Sequence, residues 1–386
     1  MADAQRPSGS VPDIAPAYWQ IYSDNVVWPS SGIIIPEMLR QQYADTQTIA
    51  RHYDSAKKWM EYMAGFIKNG LISKDAYGDW CVPPEDPTLI HSKDPKRETD
   101  KTLLATAYYY YDLCLMERFA KQLGRADDAR RFHDQAGKMK AAFNQKFLNR
   151  KLGQYDNGTQ TSSVLPLAFG LVPADMRARI FQHLVSRIEK ESHGHIGTGL
   201  VGGQYLMRVL SDNGRPDLVY RMATQTDYPG WGYMLEHGAT TIWELWNGNT
   251  ADPAMNSGNH VMLIGDFVVW LYEDLAGIKP DPEQPGFKHI IMKPLLVGDL
   301  KFVRATHYSP YGLIVSDWKK GGGAFDWQIE VPVNTTATVF VPAGSPERVL
   351  EGGMFARDAP DVKFLRMENG RAVFNVGSGK YHFVSE

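Results

Sequence analysis

The chain has 386 residues, of which 43% are hydrophobic and 22% are charged, and 41 basic against 44 acidic residues give a formal charge of −3. This much apolar sequence can bury a large core, which excludes a disordered protein. The near balance of charge leaves no electrostatic footprint for nucleic acid or for an anionic membrane surface, so we predict neither partner.

No apolar run approaches the roughly 20 residues that span a bilayer. The N-terminal sequence has no basic start followed by an apolar stretch, so no signal peptide is visible and the localisation stays open. Two cysteines, Cys81 and Cys114, are too few for a disulfide framework and lack metal-ligand spacing. We interpret both as buried thiols and predict no metal and no other cofactor.

Helical periodicity runs from the start of the chain to about Gly277. Apolar residues recur every three or four positions, and glycines end several of the runs. The pattern predicts ten helices, at 33–43, 46–70, 99–123, 125–148, 162–169, 174–190, 200–210, 216–226, 239–246 and 259–276.

The helices alternate in character. Residues 99–123 are apolar on nearly every face, which is typical of an inner helix with neighbours on both sides. Residues 125–148 carry one apolar stripe and a charged face, as an outer helix does. The alternation indicates an (α/α)6-type toroid over residues 1–280. Because six pairs need twelve helices, we expect its first pair to be missing and the domain to be incomplete at its N-terminus.

Beyond Pro285 the pattern changes to short alternating strands bounded by Gly, Pro, Asn and Asp. The β-rich runs are 288–294, 302–309, 311–318, 324–332, 336–343, 371–377 and 380–385. They predict an antiparallel β-sandwich over residues 281–386, after a proline-rich linker at 279–287.

Three polar and aromatic loops could carry chemistry, since aromatic rings form platforms for sugars and 12% of the residues are aromatic. The first, 23–32, contains Trp28, and its structural alternative is a lead-in to the next helix. The second, 76–87, offers Asp79 and Trp80, with a surface turn or a buried cation partner for Asp79 as alternatives. A large aromatic core is the general alternative to sugar platforms.

The third loop, 228–260, contains Trp231, Trp243, Glu244 and His260. Indoles flank Glu244, and apolar surroundings suit a carboxyl group to proton transfer. Thr241 and Glu244 also have capping-box spacing, so Glu244 could instead cap a helix. His260 could be an ordinary core histidine.

These segments resemble the C-terminal half of bacterial α-L-rhamnosidases, glycoside hydrolase family 78. The resemblance rests on GATTIWELW, SGNHVMLIGDFVVWLYEDLAGI and GFKHIIMKP, together with AYGDW and DNVVWPSSGIIIPEMLRQQYADTQTIARHYDSAKKWMEYM upstream and THYSPYGLIVSDW downstream. It implies an (α/α)6 barrel followed by a β-sandwich, and cleavage of terminal α-L-rhamnose with inversion.

By the same resemblance, Glu244 in GATTIWE matches the general base, and Trp28, Trp80 and His260 match sugar-contacting positions. Asp79, Trp231 and Trp243, in the same loops, complete the predicted substrate-binding set. The predicted partner is a rhamnose-containing oligosaccharide or glycoside.

One departure concerns the general acid, which in the family lies in a segment of the form DxxxRDERxGWxxD. This sequence contains no such segment, so we expect a family member that begins late and hydrolyses weakly or not at all. Glu85, Asp86 and Glu236 are the carboxyl groups that could be recruited, although no motif supports them.

Two other functions remain open. One is a non-catalytic rhamnoside-binding remnant, or a fragment completed by another chain, for which self-association is possible. The other is a different (α/α)6 glycosidase, or a lyase acting on uronic sugars, which predicts Arg or Lys around the cavity to bind a carboxylate.

Overall fold

A computed structural model describes residues 1–386, which fold into two compact units. The first unit comprises Met1–Pro36 and Gln47–Asp266, and the second comprises Glu37–Thr46 and Phe267–Glu386. The sequence-based boundary after residue 280 lies inside the second unit.

The first unit is helical, with one two-residue hairpin of strands β1 and β2 (Leu148–Asn149 and Gln154–Tyr155). Helix α1 (Ser31–Tyr43) begins in it, and α11 (Phe267–Val269) follows its last residue. The helices between are α2 Gln47–Ala64, α3 Lys101–Gln122, α4 Ala126–Phe147, α5 Gln160–Ala168, α6 Arg177–Ser186, α7 Leu200–Gly203, α8 Leu206–Asp212, α9 Pro216–Thr224 and α10 Trp231–Glu236. No helix combines the length and the apolar character of a membrane span.

Inner and outer helices alternate as the sequence predicts. Helix α3 buries 14 residues spread around its circumference, whereas α4 buries six that form one stripe. Helix α3 packs on α2, α4 and α5, and α5 packs in turn on α6 and α8. The inner helices α3, α5 and α8 therefore contact each other, and α4, α6 and α9 cover them from outside.

Two of the predicted helices are wrong. Residues 239–246 form no helix, because their backbone groups bond to residues 257–260 instead. The predicted helix at 259–276 is interrupted at Gly265, whose φ is +56°. A β-carbon there would lie 2.4 Å from the Gly203 carbonyl oxygen, so this close approach requires glycine.

The second unit contains two facing sheets. The larger has the order β10-β9-β13-β7-β6-β5, and the smaller has the order β11-β12-β8-β4-β3. The strands are β3 Ile278–Pro280, β4 His289–Met292, β5 Phe302–Ser309, β6 Gly312–Gly321, β7 Ala324–Val331, β8 Thr336–Pro342, β9 Val349–Glu351, β10 Met354–Phe355, β11 Val362–Glu368, β12 Arg371–Val376 and β13 Gly379–Ser385. Trp318, Trp327, Phe374 and Phe383 lie in the core that these strands share.

Two details differ from the predicted antiparallel sandwich and its linker. Strands β4 and β8 pair in parallel, because the chain crosses to the other sheet for β5, β6 and β7 before it returns. The proline-rich segment 279–287 connects two paired strands, β3 and β4, so it is a turn of the smaller sheet.

The inner helix α3 buries a carboxyl group at Asp112, which has no exposed surface. Ser30 Oγ donates a hydrogen bond to Asp112 Oδ2 at 2.6 Å, and Oδ1 is buried without a partner. Burial raises the pKa of Asp112 well above its ordinary value, so the folded protein favours the neutral acid.

We expect Asp112→Asn to increase stability at neutral pH relative to the parent chain. In the parent, the unfolded chain releases the Asp112 proton above about pH 4 while the folded chain retains it, so stability falls as the pH rises from there towards the folded-state pKa. The amide does not titrate, so the gain should vanish below pH 4. Thermal melting across the pH range measures this, with the exposed Asp134→Asn as control; a gain that is the same at every pH would contradict it.

Candidate active site

Apart from Trp231, which begins helix α10, the predicted site residues lie in three segments of the first unit, and none of the three is a regular helix or strand. We call residues 23–30 loop A, residues 73–100 loop B and residues 237–260 loop C. Long loops without secondary structure are uncommon in compact domains and are often functional.

Glu244 lies in loop C and is half-buried. Its backbone N–H donates to the Ser257 carbonyl at 2.9 Å, and the Ser257 N–H donates to Glu244 Oε2 at 3.0 Å. Glu244 Oε1 accepts no hydrogen bond from the chain. The capping-box alternative is therefore wrong, since no helix begins at Thr241 and Glu244 bonds across the loop.

The two halves of loop C run side by side. The His260 backbone N–H donates to the Ile242 carbonyl at 2.7 Å, two residues from Glu244. His260 is half-buried, and its Nδ1 accepts from the Met262 N–H at 3.3 Å. Its Nε2 has no partner in the chain, so the pairing brings an available imidazole nitrogen to the same segment as Glu244.

Three aromatic rings of loop B and one of loop A form a continuous run. Tyr77 lies 4.8 Å from Trp28 of loop A and 5.8 Å from Trp80, and Trp80 lies 4.6 Å from His91, as ring-centroid distances. Trp28 and Trp80 are both half-buried. The structure thus brings two predicted sugar platforms together through a ring between them.

A cavity of about 730 Å³ lies along loop B, walled by Tyr77, Trp80 and His91. Glu244 is absent from its lining, but the Cys81 thiol lines it. Burial, and next the negative charge of Glu244, raise the pKa of Cys81. Sequence reasoning missed His91, because nothing in HSKD marks it as part of an aromatic run.

Asp79 holds loop B against α7. Its carboxylate accepts N–H groups from Gly199 at 2.9 Å, Val201 at 2.9 Å and Gly202 at 3.1 Å, together with the Thr161 hydroxyl. Burial raises the pKa of this carboxyl, and the hydrogen bonds counter part of the rise. Both oxygens accept hydrogen bonds from the chain, which favours a positioning role, and the sugar contact at Asp79 stays a prediction.

The predicted sugar contacts at Trp231 and Trp243 have less support and stay predictions, since the exposed fractions of these residues are only 6% and 8%. Trp231 donates its indole N–H to the Leu263 carbonyl at 3.0 Å and packs edge-on against Trp246. Trp243 packs against Gly248, where a β-carbon would lie 2.9 Å from the ring. Both indoles pack inside the helical unit, which leaves little surface on which a sugar ring could stack.

Loop C is attached to loop B by Asn247, which is 1% exposed. Its Nδ2 donates to the carbonyls of Pro87 at 2.9 Å and Leu89 at 3.0 Å. Thr250 Oγ1 also donates to the Pro87 carbonyl, at 2.6 Å. No sequence pattern marks Asn247, because its partners lie about 160 residues away and are backbone carbonyls.

Two acidic residues of loop B are poor proton donors. Glu85 accepts from Ser92 Oγ at 2.6 Å and the Lys93 N–H at 2.9 Å, which lowers its pKa to about 2. Asp86 accepts from the hydroxyl and N–H of Thr88, and its pKa is also lowered. Both carboxyls are anions at neutral pH and stabilise their own turns. No group of three His, Cys, Asp or Glu side chains could hold a metal ion.

Comparison with known proteins agrees with this architecture. Residues 1–275 match the family model for the bacterial alpha-L-rhamnosidase 6 hairpin glycosidase domain. The chain belongs to this family. Residues 277–355 match the bacterial alpha-L-rhamnosidase C-terminal domain, in agreement with the β-strand unit.

Among curated relatives, an alpha-L-rhamnosidase of Streptomyces avermitilis is 34% identical over 389 residues, and one of an Alteromonas species is 32% identical over 351. They match 100% and 89% of this chain, which spans only 35% and 37% of their own lengths. The fold is that of solved rhamnosidases. The Streptomyces avermitilis enzyme complexed with L-rhamnose has a TM-score of 0.89 at 33% identity, and the alpha-L-rhamnosidase of Dictyoglumus thermophilum has 0.89 at 35%. Both match 100% of this chain, which covers 35% and 42% of theirs.

We expect Asn247→Ala to destabilise the helical unit by about 2 kcal/mol, because the buried amide loses its hydrogen bonds to the Pro87 and Leu89 carbonyls. Urea unfolding measures the loss, and limited proteolysis should show faster cleavage within loop B. Asn249→Ala is the matched control, since Asn249 is exposed and should change stability by less than about 0.5 kcal/mol. Equal effects of the two variants would contradict the attachment of loop C through Asn247.

We expect Asp79→Asn to cost about 3 kcal/mol, because the new amide places its own N–H groups against backbone donors. The measurement is again urea unfolding. Asp86→Asn, which alters an exposed turn, is the control. A loss no larger than that of the control would show that the three N–H bonds contribute little.

Proposed function

We propose that this chain carries the water-activating half of an α-L-rhamnoside hydrolase site, with Glu244 as the general base. The observation that supports this most is the one-sided anchoring of Glu244. Ser257 fixes Oε2, while Oε1 has no partner in the chain and is available to accept a proton from water.

In this proposal a terminal α-L-rhamnose ring lies against Trp28 and Trp80, with His260 Nε2 free to bond a hydroxyl. Glu244 takes a proton from water, and the water oxygen attacks the anomeric carbon as the bond to the leaving oxygen breaks. A second carboxyl, about 6.5–9.5 Å from the first, must protonate that oxygen. The product has the inverted configuration.

The proton donor decides how fast the chain can work. Glu85 and Asp86 are unsuited to the role, since hydrogen bonds stabilise their anions. Loss of a general acid typically costs 10²–10⁴-fold in rate. We therefore propose slow hydrolysis by this chain, with aryl rhamnosides favoured because a phenolate leaves with little need of protonation.

The rhamnoside-binding alternative uses the same site. It is favoured because Glu85 and Asp86 of loop B are unsuited to protonate a leaving group. It predicts affinity for L-rhamnose without turnover, and self-association remains an untested part of it. A lyase for uronic sugars has less support. Lys101 is the only Lys or Arg lining the 730 Å³ cavity, and its Nζ donates to the Ala76 carbonyl at 2.9 Å.

We expect Glu244→Gln to lower the hydrolysis of an aryl α-L-rhamnoside at least about 100-fold while folding is unchanged, because the amide cannot accept a proton from water. Released phenol measures the rate, and proton NMR of the first product should show the β anomer. Glu61→Gln, at an exposed residue of α2, is the matched control.

Three other results are decisive. Full activity in Glu244→Gln would remove Glu244 from the mechanism. An α anomer as first product would contradict inversion. Binding of L-rhamnose by the parent chain without any turnover would leave the binding function in place of the hydrolase.

A further inference from the structure

Tyr77 is the ring through which Trp28 and Trp80 meet. It contacts Trp28 in a tilted arrangement of 47° and presents an edge to Trp80 at 85°. Trp80 also contacts His91, but Tyr77 is the ring that joins the two indoles, so its position bears on the angle and the spacing between them.

The hydroxyl group of Tyr77 is fixed by a residue remote in sequence. It donates to Asp13 Oδ2 at 2.7 Å, and the same oxygen accepts from Ser23 Oγ at 2.5 Å. The Asp13 N–H donates to the Ile21 carbonyl at 3.0 Å, and Asp13 is only 7% exposed. Asp13 therefore ties the start of loop A to the aromatic ring of loop B.

The bond persists at any working pH of the protein. Burial, and next the hydrogen bond to Asp13, raise the pKa of Tyr77 to about 12, so the phenol keeps its proton and remains a donor. The backbone at Tyr77 is fixed as well, because Asp75 Oδ1 accepts from the N–H groups of Tyr77 at 2.9 Å and Gly78 at 3.1 Å. The Tyr77 ring is thus held at its backbone and at its hydroxyl.

We propose that Asp13 is a positioning residue for sugar binding, which acts through the Tyr77 hydroxyl to set the geometry of the Trp28 and Trp80 platforms. The inference rests on the proposed function, since it assumes that these two indoles receive the sugar. Asp13 itself is buried and touches no substrate in this scheme. Its loss should weaken binding more than it slows the chemical step, because the base at Glu244 is held separately by Ser257.

The test compares Tyr77→Phe, Asp13→Ala and the double variant in the full chain. We measure KM and kcat with an aryl α-L-rhamnoside, and Kd for L-rhamnose by calorimetry. In parallel, 5-fluorotryptophan labelling and fluorine NMR report on the indoles, with the Trp28 and Trp80 resonances assigned by Trp28→Phe and Trp80→Phe. Tyr62→Phe is the matched control, since Tyr62 donates to Asp24 Oδ1 at 3.0 Å in the same way, while its ring faces Phe66.

We expect KM and Kd to rise about fivefold in each single variant, as the loss of one hydrogen bond predicts, with kcat changed less than about twofold. The double variant should be no worse than Asp13→Ala alone, because that variant already removes the bond to the Tyr77 hydroxyl. The Trp28 and Trp80 resonances should shift in these variants and stay in place in Tyr62→Phe.

Unchanged KM and Kd in Tyr77→Phe, with parent turnover intact, would overturn this inference and leave the proposed function standing. Unmoved Trp28 and Trp80 resonances would overturn it as well, as would a fall in kcat alone. A parent chain that neither binds L-rhamnose nor hydrolyses the rhamnoside would overturn the proposed function and this inference together.

Discussion

The buried carboxylate of Asp79 is the interaction on which the site depends. It collects three backbone N–H groups at the start of α7, about 120 residues further along the chain, and so fixes the residue that precedes Trp80. The approach is possible because residue 199 is glycine, since a β-carbon there would lie 2.2 Å from the Trp80 carbonyl oxygen. An unpaired carboxylate at this depth would be costly, whereas one with four donors holds two segments together.

Hydrogen bonds of polar side chains hold the other loops as well. Asp13 and Asp75 fix the two ends of Tyr77, and Asn247 joins loop C to the carbonyls of loop B. Long loops normally lose much entropy on ordering. Here the loops form hydrogen bonds with one another, so the ordering of one loop favours the ordering of the next. The helices supply a scaffold, and the polar side chains between loops supply the geometry on which binding depends.

The sequence predicts the scaffold well and the loops poorly, for a physical reason. Helices α3 and α4 follow from periodicity because their burial repeats every three or four residues. The capping-box pattern at Thr241 and Glu244 is equally local. It fails because both the backbone and the side chain of Glu244 form hydrogen bonds with the distant Ser257. The platforms at Trp28 and Trp80 were predicted through a family resemblance. Asp13, His91 and Asn247 have partners remote in sequence, so no local pattern could reveal them.

The carboxylates of the helical unit also differ in how many hydrogen bonds each accepts. This difference distinguishes carboxylates that hold the backbone in place from one that is available for chemistry. Both oxygens of Asp79 and both of Glu85 accept hydrogen bonds, so these groups are fully engaged in holding backbone. In exposed Glu85 this bonding also lowers the pKa to about 2, which makes the anion a weak base and excludes it as a proton donor near neutral pH. Glu244 is anchored through one oxygen and leaves the other without a partner in the chain. A base must be oriented and yet keep a lone pair free. Glu244 combines the two, so its proposed role as a base is supported by its hydrogen bonds as well as by its motif.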